Sequence, residues 1–160
     1  MAPTRLRQER SNRPGKGVTH DGSRTMAEKV AFELVSPERL LMSEDSEMVV
    51  VPGADGNFGV LSGHAPMIST VRPGVIDVYT KRPQVAHRVF VAGGFAEVTP
   101  DRCTVLAEEA IAVGELDRAA VEQEISDLAD DLAEAKTEAE RASVEKALVV
   151  AQAKRLALAS

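Results

Sequence analysis

The amino-acid composition changes abruptly at Gly114, and this change constrains the fold more than any other feature. Before it, short apolar runs alternate with turn residues, whereas from Leu116 onward there is neither Gly nor Pro and Ala, Glu, Leu and Lys are frequent. Short runs bounded by Gly and Pro are typical of strands, and an Ala-, Glu- and Leu-rich stretch without either residue is typical of helices. The sequence therefore predicts a β unit followed by a helical unit.

Nine short apolar runs in the first unit predict strands that start about every 8 to 12 residues. They are Val30–Val35, Arg39–Met42, Met48–Val51, Phe58–Leu61, Met67–Val71, Gly74–Thr80, Val85–Val91, Phe95–Val98 and Cys103–Ala107. Turn residues separate them, as in the predicted loop 52–57 and at Gly93-Gly94. Because each strand has one or two apolar faces to bury, residues 26–112 are predicted to form a β-sandwich of two packed sheets.

The second unit, residues 113–160, carries the pattern of two amphipathic helices. In the first helix, which Asp117 can cap, the apolar residues recur at spacings of four, three and four: Val121, Ile125, Leu128 and Leu132. Thr137 and Glu140 form a capping-box pattern before a second helix, whose apolar residues are Val144, Leu148, Ala151 and Leu158. The pair is predicted to form a hairpin that packs on itself, on the sandwich or on a partner, since isolated helices of this length are marginal.

Charge is distributed unevenly along the sequence. Residues 1–25 contain six basic and two acidic residues, which gives +4 and leaves −10 for the remainder of a chain whose net charge is −6. A short basic tail bearing Pro, Gly and Ser is predicted to be disordered, and Met26 offers an independent start. Nucleic-acid binding is not predicted, because the body is acidic and has no Trp and only Tyr79 with four Phe for base stacking.

Cellular location follows from two further features. No stretch approaches the roughly 18 to 20 apolar residues that cross a bilayer, and residues 1–25 hold no apolar block like a signal peptide. Membrane association is therefore expected only through a partner. The single cysteine, Cys103, excludes an internal disulfide and fits a reducing, cytoplasmic compartment.

Residues capable of catalysis are few. His87 and Cys103 fall in predicted strands: His87 is interpreted as a packed or edge histidine and Cys103 as a small buried residue. His64 in a Gly-flanked loop is interpreted as a partner of loop backbone. The three histidines have no metal-ligand spacing. The run from Gly53 to Gly59 lacks the lysine and following helix of a phosphate loop. We therefore predict neither an enzyme nor a bound cofactor or metal.

Four segments taken in order resemble the epsilon family of F-type ATP synthases: 32–37 (Phe-Glu-Leu-Val-Ser-Pro), 56–66 (Gly-Asn-Phe-Gly-Val-Leu-Ser-Gly-His-Ala-Pro), 91–98 (Val-Ala-Gly-Gly-Phe-Ala-Glu-Val) and 105–110 (Val-Leu-Ala-Glu-Glu-Ala). The resemblance covers about Ala31 to Leu158. It implies an antiparallel β-sandwich of ten strands followed by an antiparallel two-helix hairpin. The function that it implies is that of a non-catalytic rotor subunit of the central stalk.

The resemblance also implies partners and a location. These are the c-ring, the gamma subunit and, through the helices, the alpha and beta catalytic subunits, at the cytoplasmic face of the bacterial inner membrane. Matching positions make Asp55, Asn57 and Phe58, with His64 nearby, the residues expected to face the ring.

One segment departs from the family pattern. Some bacterial members bind ATP through a motif of Ile or Leu followed by Asp-x-x-Arg-Ala, but here Ala120-Val121 replaces the Arg-Ala pair. The phosphate then lacks its bidentate guanidinium. An ATP-sensing module and a carbohydrate-binding sandwich remain the alternatives, and the scarcity of aromatic residues disfavours the second.

Overall fold

The computed structural model describes residues 28–160, and the predictions for residues 1–25 lie outside this range. The strands are β1 (Val30–Val35), β2 (Leu40–Ser46), β3 (Met48–Gly53), β4 (Gly56–Val60), β5 (Met67–Val71), β6 (Gly74–Tyr79), β7 (His87–Val91), β8 (Gly94–Val98), β9 (Arg102–Ala107) and β10 (Ala110–Ala112). A 3-10 turn, Val113–Glu115, leads to helices α1 (Arg118–Glu134) and α2 (Glu138–Ala159). Neither helix is long and apolar enough to cross a membrane.

All ten strands belong to one continuous sheet, which curls on itself into a sandwich-like body. Their order is β10-β7-β6-β3-β5-β8-β9-β1-β2, with β4 paired to β3. The fold class predicted from the sequence is thus confirmed, with two differences. The layers are parts of one sheet, and β1 pairs with β9 in parallel whereas the other pairs are antiparallel.

The core lies on the concave face of this sheet because the apolar residues alternate along each strand. In β1, Val30, Phe32 and Leu34 are buried while the residues between them are half-exposed. In β9 the buried positions are Cys103, Val105 and Ala107. Side chains at alternate positions of a strand point to the same face, so these strands line one core together. Burial of each Val, Leu or Phe side chain contributes about 1.5 to 3 kcal/mol to the free energy of folding.

The predicted loop 52–57 is wrong, because the turn between β3 and β4 consists of Ala54 and Asp55 alone. Pro52 stays in β3, although proline cannot donate a backbone hydrogen bond. The pairing of β3 with β6 ends at Val50, so no neighbour on that side requires this donor. The Pro52 carbonyl accepts a hydrogen bond from the backbone N–H of Arg72 at 2.9 Å.

Three other strand predictions differ from the structure. Strand β2 continues through the polar residues up to Ser46, because its register with β1 supplies the backbone hydrogen bonds that their composition does not suggest. Strand β7 begins at His87 rather than Val85. Strand β10, which the sequence does not predict, has three residues, too few to show a periodicity.

The helical hairpin is confirmed, and its caps follow the sequence closely. Asp117 Oδ1 accepts from the backbone N–H groups of Ala119 and Ala120 at 2.9 and 3.3 Å. Thr137 Oγ1 accepts from the Glu140 N–H at 3.1 Å, but the Glu140 carboxylate accepts from Lys136 rather than from Thr137. The result is a variant of the capping box that satisfies two free N–H groups.

We predict that Gly94→Ala destabilises the sandwich by about 3 kcal/mol, because Gly94 has φ 149° and a Cβ there would overlap the Leu106 carbonyl oxygen. Gly114→Ala is the control, since no atom of residues 28–160 beyond its immediate chain neighbours lies within 4 Å of its added Cβ. Urea denaturation followed by circular dichroism measures both. Equal losses would mean that the close approach at Gly94 is not the limiting contact.

Candidate partner-binding surfaces

The β3–β4 hairpin forms an exposed tip at one end of the sandwich. Gly53 pairs with Gly56 across the two-residue turn, and both Asp55 and Asn57 are exposed. No side chain fits at Gly53, where a Cβ would lie 2.8 Å from the Gly56 carbonyl oxygen and 2.9 Å from the Phe58 ring. The tip is therefore narrow and presents short polar side chains.

Arg72, which lies between β5 and β6, fastens this hairpin to the sheet. Its Nη1 donates to the Gly53 carbonyl and its Nη2 to Asn57 Oδ1, both at 2.6 Å. A further backbone hydrogen bond joins the Ala54 N–H to the Thr70 carbonyl at 3.0 Å. These contacts hold the tip against the connection that follows β5.

The structure brings together three of the four residues predicted to face the ring. Asp55 and Asn57 lie on the exposed side of the tip, whereas Phe58 is half-buried and packs against the core. Phe58 thus anchors the hairpin from within, and only its two polar neighbours are fully available to a partner.

His64 lies at the opposite end of the sandwich from this tip. Strand β4 begins directly after the turn at Asp55 and leads towards His64, and at about 3.3 Å per residue its five residues span roughly 17 Å. Its loop is held by a hydrogen bond from the Gly63 N–H to the Pro100 carbonyl at 2.8 Å. His64 Nδ1 lies 2.7 Å from the Ala65 carbonyl, which agrees with the structural role predicted for it in its loop.

An exposed apolar face covers the outer side of β5, β8 and β9. Ile68 is 77% exposed, Phe95 60% and Leu106 50%. Phe95 and Leu106 are directly paired across β8 and β9, and Ile68 lies on the next strand. These three residues line a shallow cleft of about 160 Å³ together with Glu97 and Thr104. We refer to them as the β5–β8–β9 face.

Sequence reasoning does not single out this face, although the strand pattern contains the signal. The alternation places Cys103, Val105 and Ala107 on one side of β9, which leaves Leu106 on the other. The burial of Ala96 and Val98 turns Phe95 outward in the same way. What the pattern lacks is the strand order, which makes these residues neighbours.

Helix α2 seats the hairpin on the sandwich through a second, smaller apolar cluster. The buried part of this cluster consists of Phe90 in β7, Ala92 directly after β7 and Ala157 of α2. Beside them Lys154 is only 13% exposed, with its Nζ 3.5 Å from Glu109, 3.7 Å from Glu124 and 6.0 Å from the Phe90 ring centroid. Lys154 of α2 therefore connects this helix to α1 and, through Glu109, to the β9–β10 turn of the sandwich.

The residues of the altered nucleotide motif have structural partners. Asp117 caps α1 as described above, and the Arg118 guanidinium donates to the Leu158 carbonyl near the end of α2 at 3.2 Å. On the sheet side, Arg88 donates to the Ser160 carbonyl and to its Oγ at 3.2 and 2.8 Å. Two guanidinium groups therefore satisfy acceptors at the C-terminal end of α2, where carbonyls lack helical partners.

Catalytic and metal chemistry find little support among residues 28–160. No cluster of three His, Cys, Asp or Glu side chains suited to a metal ion occurs there. His87, predicted to be a packed or edge side chain, is exposed, with its Nε2 2.7 Å from the Glu44 carboxylate. Cys103 is fully buried as predicted, and burial raises the pKa of its thiol from 9.0 to about 12. A neutral, inaccessible thiol is not a nucleophile.

Comparison with known proteins identifies the family. A family model described as "ATP synthase, Delta/Epsilon chain, beta-sandwich domain" matches residues 29–113, and a model of the C-terminal domain of the ATP synthase epsilon chain matches residues 117–160. The protein belongs to the ATP synthase epsilon family. Epsilon chains are non-catalytic subunits of the synthase, so the prediction of a non-catalytic protein is confirmed.

Individual epsilon chains are similar over nearly their full length. The ATP synthase epsilon chain of Rhodospirillum centenum is 61% identical over 133 residues, which cover 81% of this chain and 91% of the relative. That of Rhodospirillum rubrum is 57% identical over 128 residues, covering 80% and 95%. The epsilon chain of Paramagnetospirillum magneticum is 53% identical over 134 residues, covering 84% and 100%.

Two solved structures share the fold of this epsilon-family protein. A chain of the Euglena gracilis mitochondrial ATP synthase, solved with its OSCP, F1 and c-ring parts, has a TM-score of 0.73 at 21% identity and covers 86% of both chains. A chain from the central stalk and c-ring of the Tetrahymena thermophila mitochondrial enzyme has a TM-score of 0.56 at 14% identity, covering 81% and 96%.

We predict that the Cys103 thiol makes the stability of this epsilon-family protein fall above pH 9. Its folded pKa of about 12 exceeds the ordinary 9.0, so the thiol favours the folded state below pH 9, and this contribution is lost as the pH rises towards 12. Urea denaturation between pH 7 and 11 measures the decline. Cys103→Ala serves as the comparison, and an equally steep decline in this variant would show that another group is responsible.

Proposed function

We propose that the protein works in the central stalk of the synthase rotor, where the sandwich joins the c-ring to the gamma subunit. The observation that carries this proposal is the separation of two unlike surfaces on one stiff body. A polar tip, Asp55 with Asn57, lies at one end, and the apolar β5–β8–β9 face lies on the side. A subunit that links two partners needs two such surfaces held at a fixed distance.

The β5–β8–β9 face suits a permanent contact with gamma. Single exposed apolar side chains are common, but three on adjacent strands form a patch of the kind that marks protein interfaces. Ile68 and Phe95 are the most exposed of them, and Phe residues are enriched in interface cores. Charged Glu97 borders the cleft and supplies part of a polar rim.

The hairpin tip suits the polar loops of a ring. Asp55 in the turn and Asn57 in β4 project from a hairpin that Arg72 and Phe58 brace from two sides. Because the brace limits the motion of the tip, torque applied there passes into the sheet rather than bending the hairpin. We assign ring contact to Asp55 and Asn57, give Phe58 the role of anchor, and leave His64 outside this surface because of its distance from the tip.

The location that follows is peripheral, with attachment to the membrane through the ring. We place the protein at the cytoplasmic face of the bacterial inner membrane. Two observations support this placement: the similar epsilon chains come from bacteria, and the polar tip offers a surface for the ring.

Substitutions in the hairpin tip and in the β5–β8–β9 face are predicted to weaken binding to the ring and to gamma independently. Replacing Asp55 and Asn57 together by Lys should weaken attachment of the assembled soluble sector, F1, to membranes from which it has been removed (stripped membranes) about tenfold or more. Binding to gamma should stay within about twofold of the wild type. Ile68→Asp with Phe95→Asp should do the reverse, because charge is placed in an apolar contact. Sedimentation with membranes and pull-down by gamma measure the two activities. Equal loss of both activities in either double variant would refute the assignment.

The packing of α2 on the sheet favours a second role, which is regulation of ATP hydrolysis by the helices. Apart from Ala157, its contacts with the sheet are half-buried, and the ion pairs of Lys154 reinforce them. Helix α2 can separate from the sheet at such a contact without disturbing the larger core of the sandwich. The hairpin is then free to reach the alpha and beta subunits and to inhibit them.

Lys154→Glu is predicted to release α2 and lower ATP hydrolysis by the assembled soluble sector at least about twofold, since the new carboxylate repels Glu109 and Glu124. Lys146→Glu is the matched control, because its ion pair with Glu108 is exposed. Amide exchange of α2 reports release. Release with unchanged hydrolysis would show a passive hairpin.

A further inference from the structure

We propose that Arg72 is a positioning residue for ring attachment: it orients the Asn57 side chain so that the amide N–H groups face the partner, which supplies an acceptor oxygen at that point. This inference rests on the proposed ring contact of the hairpin tip. It adds which side of one contact donates the hydrogen bond and which residue determines this direction.

Arg72 is itself held in place by three hydrogen bonds. Its backbone N–H donates to Pro52 at 2.9 Å, its Nη1 to the Gly53 carbonyl and its Nη2 to Asn57 Oδ1, the last two at 2.6 Å. The planar guanidinium therefore joins both strands of the hairpin, since Gly53 ends β3 and Asn57 lies in β4. A lysine offers a single nitrogen and cannot match this fork.

The chemistry of the two side chains determines which end of the Asn57 amide faces inward. Arginine carries only donors, so the atom 2.6 Å from Nη2 must be the carbonyl oxygen rather than the nitrogen. The NH₂ group consequently points away from Arg72. Within residues 28–160 its nitrogen donates no hydrogen bond to the protein, and Asn57 is exposed.

The tip thus presents a definite pattern to its partner. Asn57 offers a donor, and Asp55, two residues away in the turn, offers an acidic acceptor. A ring loop that fits this pattern places a backbone carbonyl, amide or carboxylate oxygen opposite Asn57. An unbraced asparagine could turn over and accept from a donor instead, so Arg72 determines specificity as well as position.

Asn57→Asp separates this role from a merely structural one. The aspartate keeps the acceptor for Arg72 and makes that bond charge-assisted, but it replaces the outward donor by an acceptor. We expect attachment of the assembled soluble sector, loaded with the full-length protein, to stripped membranes to weaken about tenfold. The melting temperature of the variant should equal or exceed that of the wild type. Gln84→Glu, which makes the same chemical change in the exposed β6–β7 connection, should leave attachment unchanged.

Arg72→Gln and Arg72→Lys test the positioning itself. Both should weaken attachment about three- to tenfold, and adding Asn57→Asp to either should cost little more, because the two residues act as one unit. Attachment that is unchanged or tighter in Asn57→Asp, or unchanged in both Arg72 variants, overturns the inference alone. If the wild-type protein gives no gain in attachment over a sector lacking it, the ring contact is wrong as well.

Discussion

The parallel pairing of β1 with β9 is the interaction on which the rest of the sandwich depends. It joins segments about seventy residues apart in the sequence and attaches the β1–β2 hairpin to the remainder of the sheet, with Phe32 opposite Cys103 and Leu34 opposite Val105. All four side chains are buried in one core. Without this pairing that core would lose one wall, since within residues 28–160 β2 pairs only with β1. A continuous sheet packed around one core keeps the hairpin tip and the β5–β8–β9 face at a fixed distance.

Close contacts also fix the shape of the hairpin tip and of the β5–β8–β9 face. At the β3–β4 hairpin tip the Arg72 fork and the Phe58 ring hold a two-residue turn from outside and inside. At the β5–β8–β9 face, Gly94 lets β8 approach Leu106 more closely than any other residue could. In both places few side chains hold the surface in shape, and the backbone of the sheet connects them. Force applied at the tip is therefore carried by sheet hydrogen bonds rather than by loops.

Sequence reasoning succeeds where a pattern is local and fails where position depends on the path of the backbone. The alternation in β1 and β9 and the caps at Asp117 and Thr137 are local, and the structure has them as predicted. Only nine positions separate His64 from Asp55, which suggests one surface, yet an extended strand carries them to opposite ends. The Arg72 brace could not be predicted, because it connects residues brought together only by strand order.

The helical hairpin differs from the sandwich in how firmly it is held. The small Ala157 seats α2 against Phe90, and a buried methyl contributes about 0.8 kcal/mol, much less than a buried Phe or Leu. Val150 and Ala153 of α2 pack beside it but are only half-buried. The ion pair of Lys154 with Glu109 and the hydrogen bonds from Arg88 to Ser160 add polar attachment to the sandwich, which salt and competing partners weaken. The same protein thus combines a body that has a large buried core with a hairpin held by a small apolar cluster and polar contacts. The regulation proposed above therefore requires only that the small contact between α2 and the sheet be broken, and the core of the sandwich stays folded.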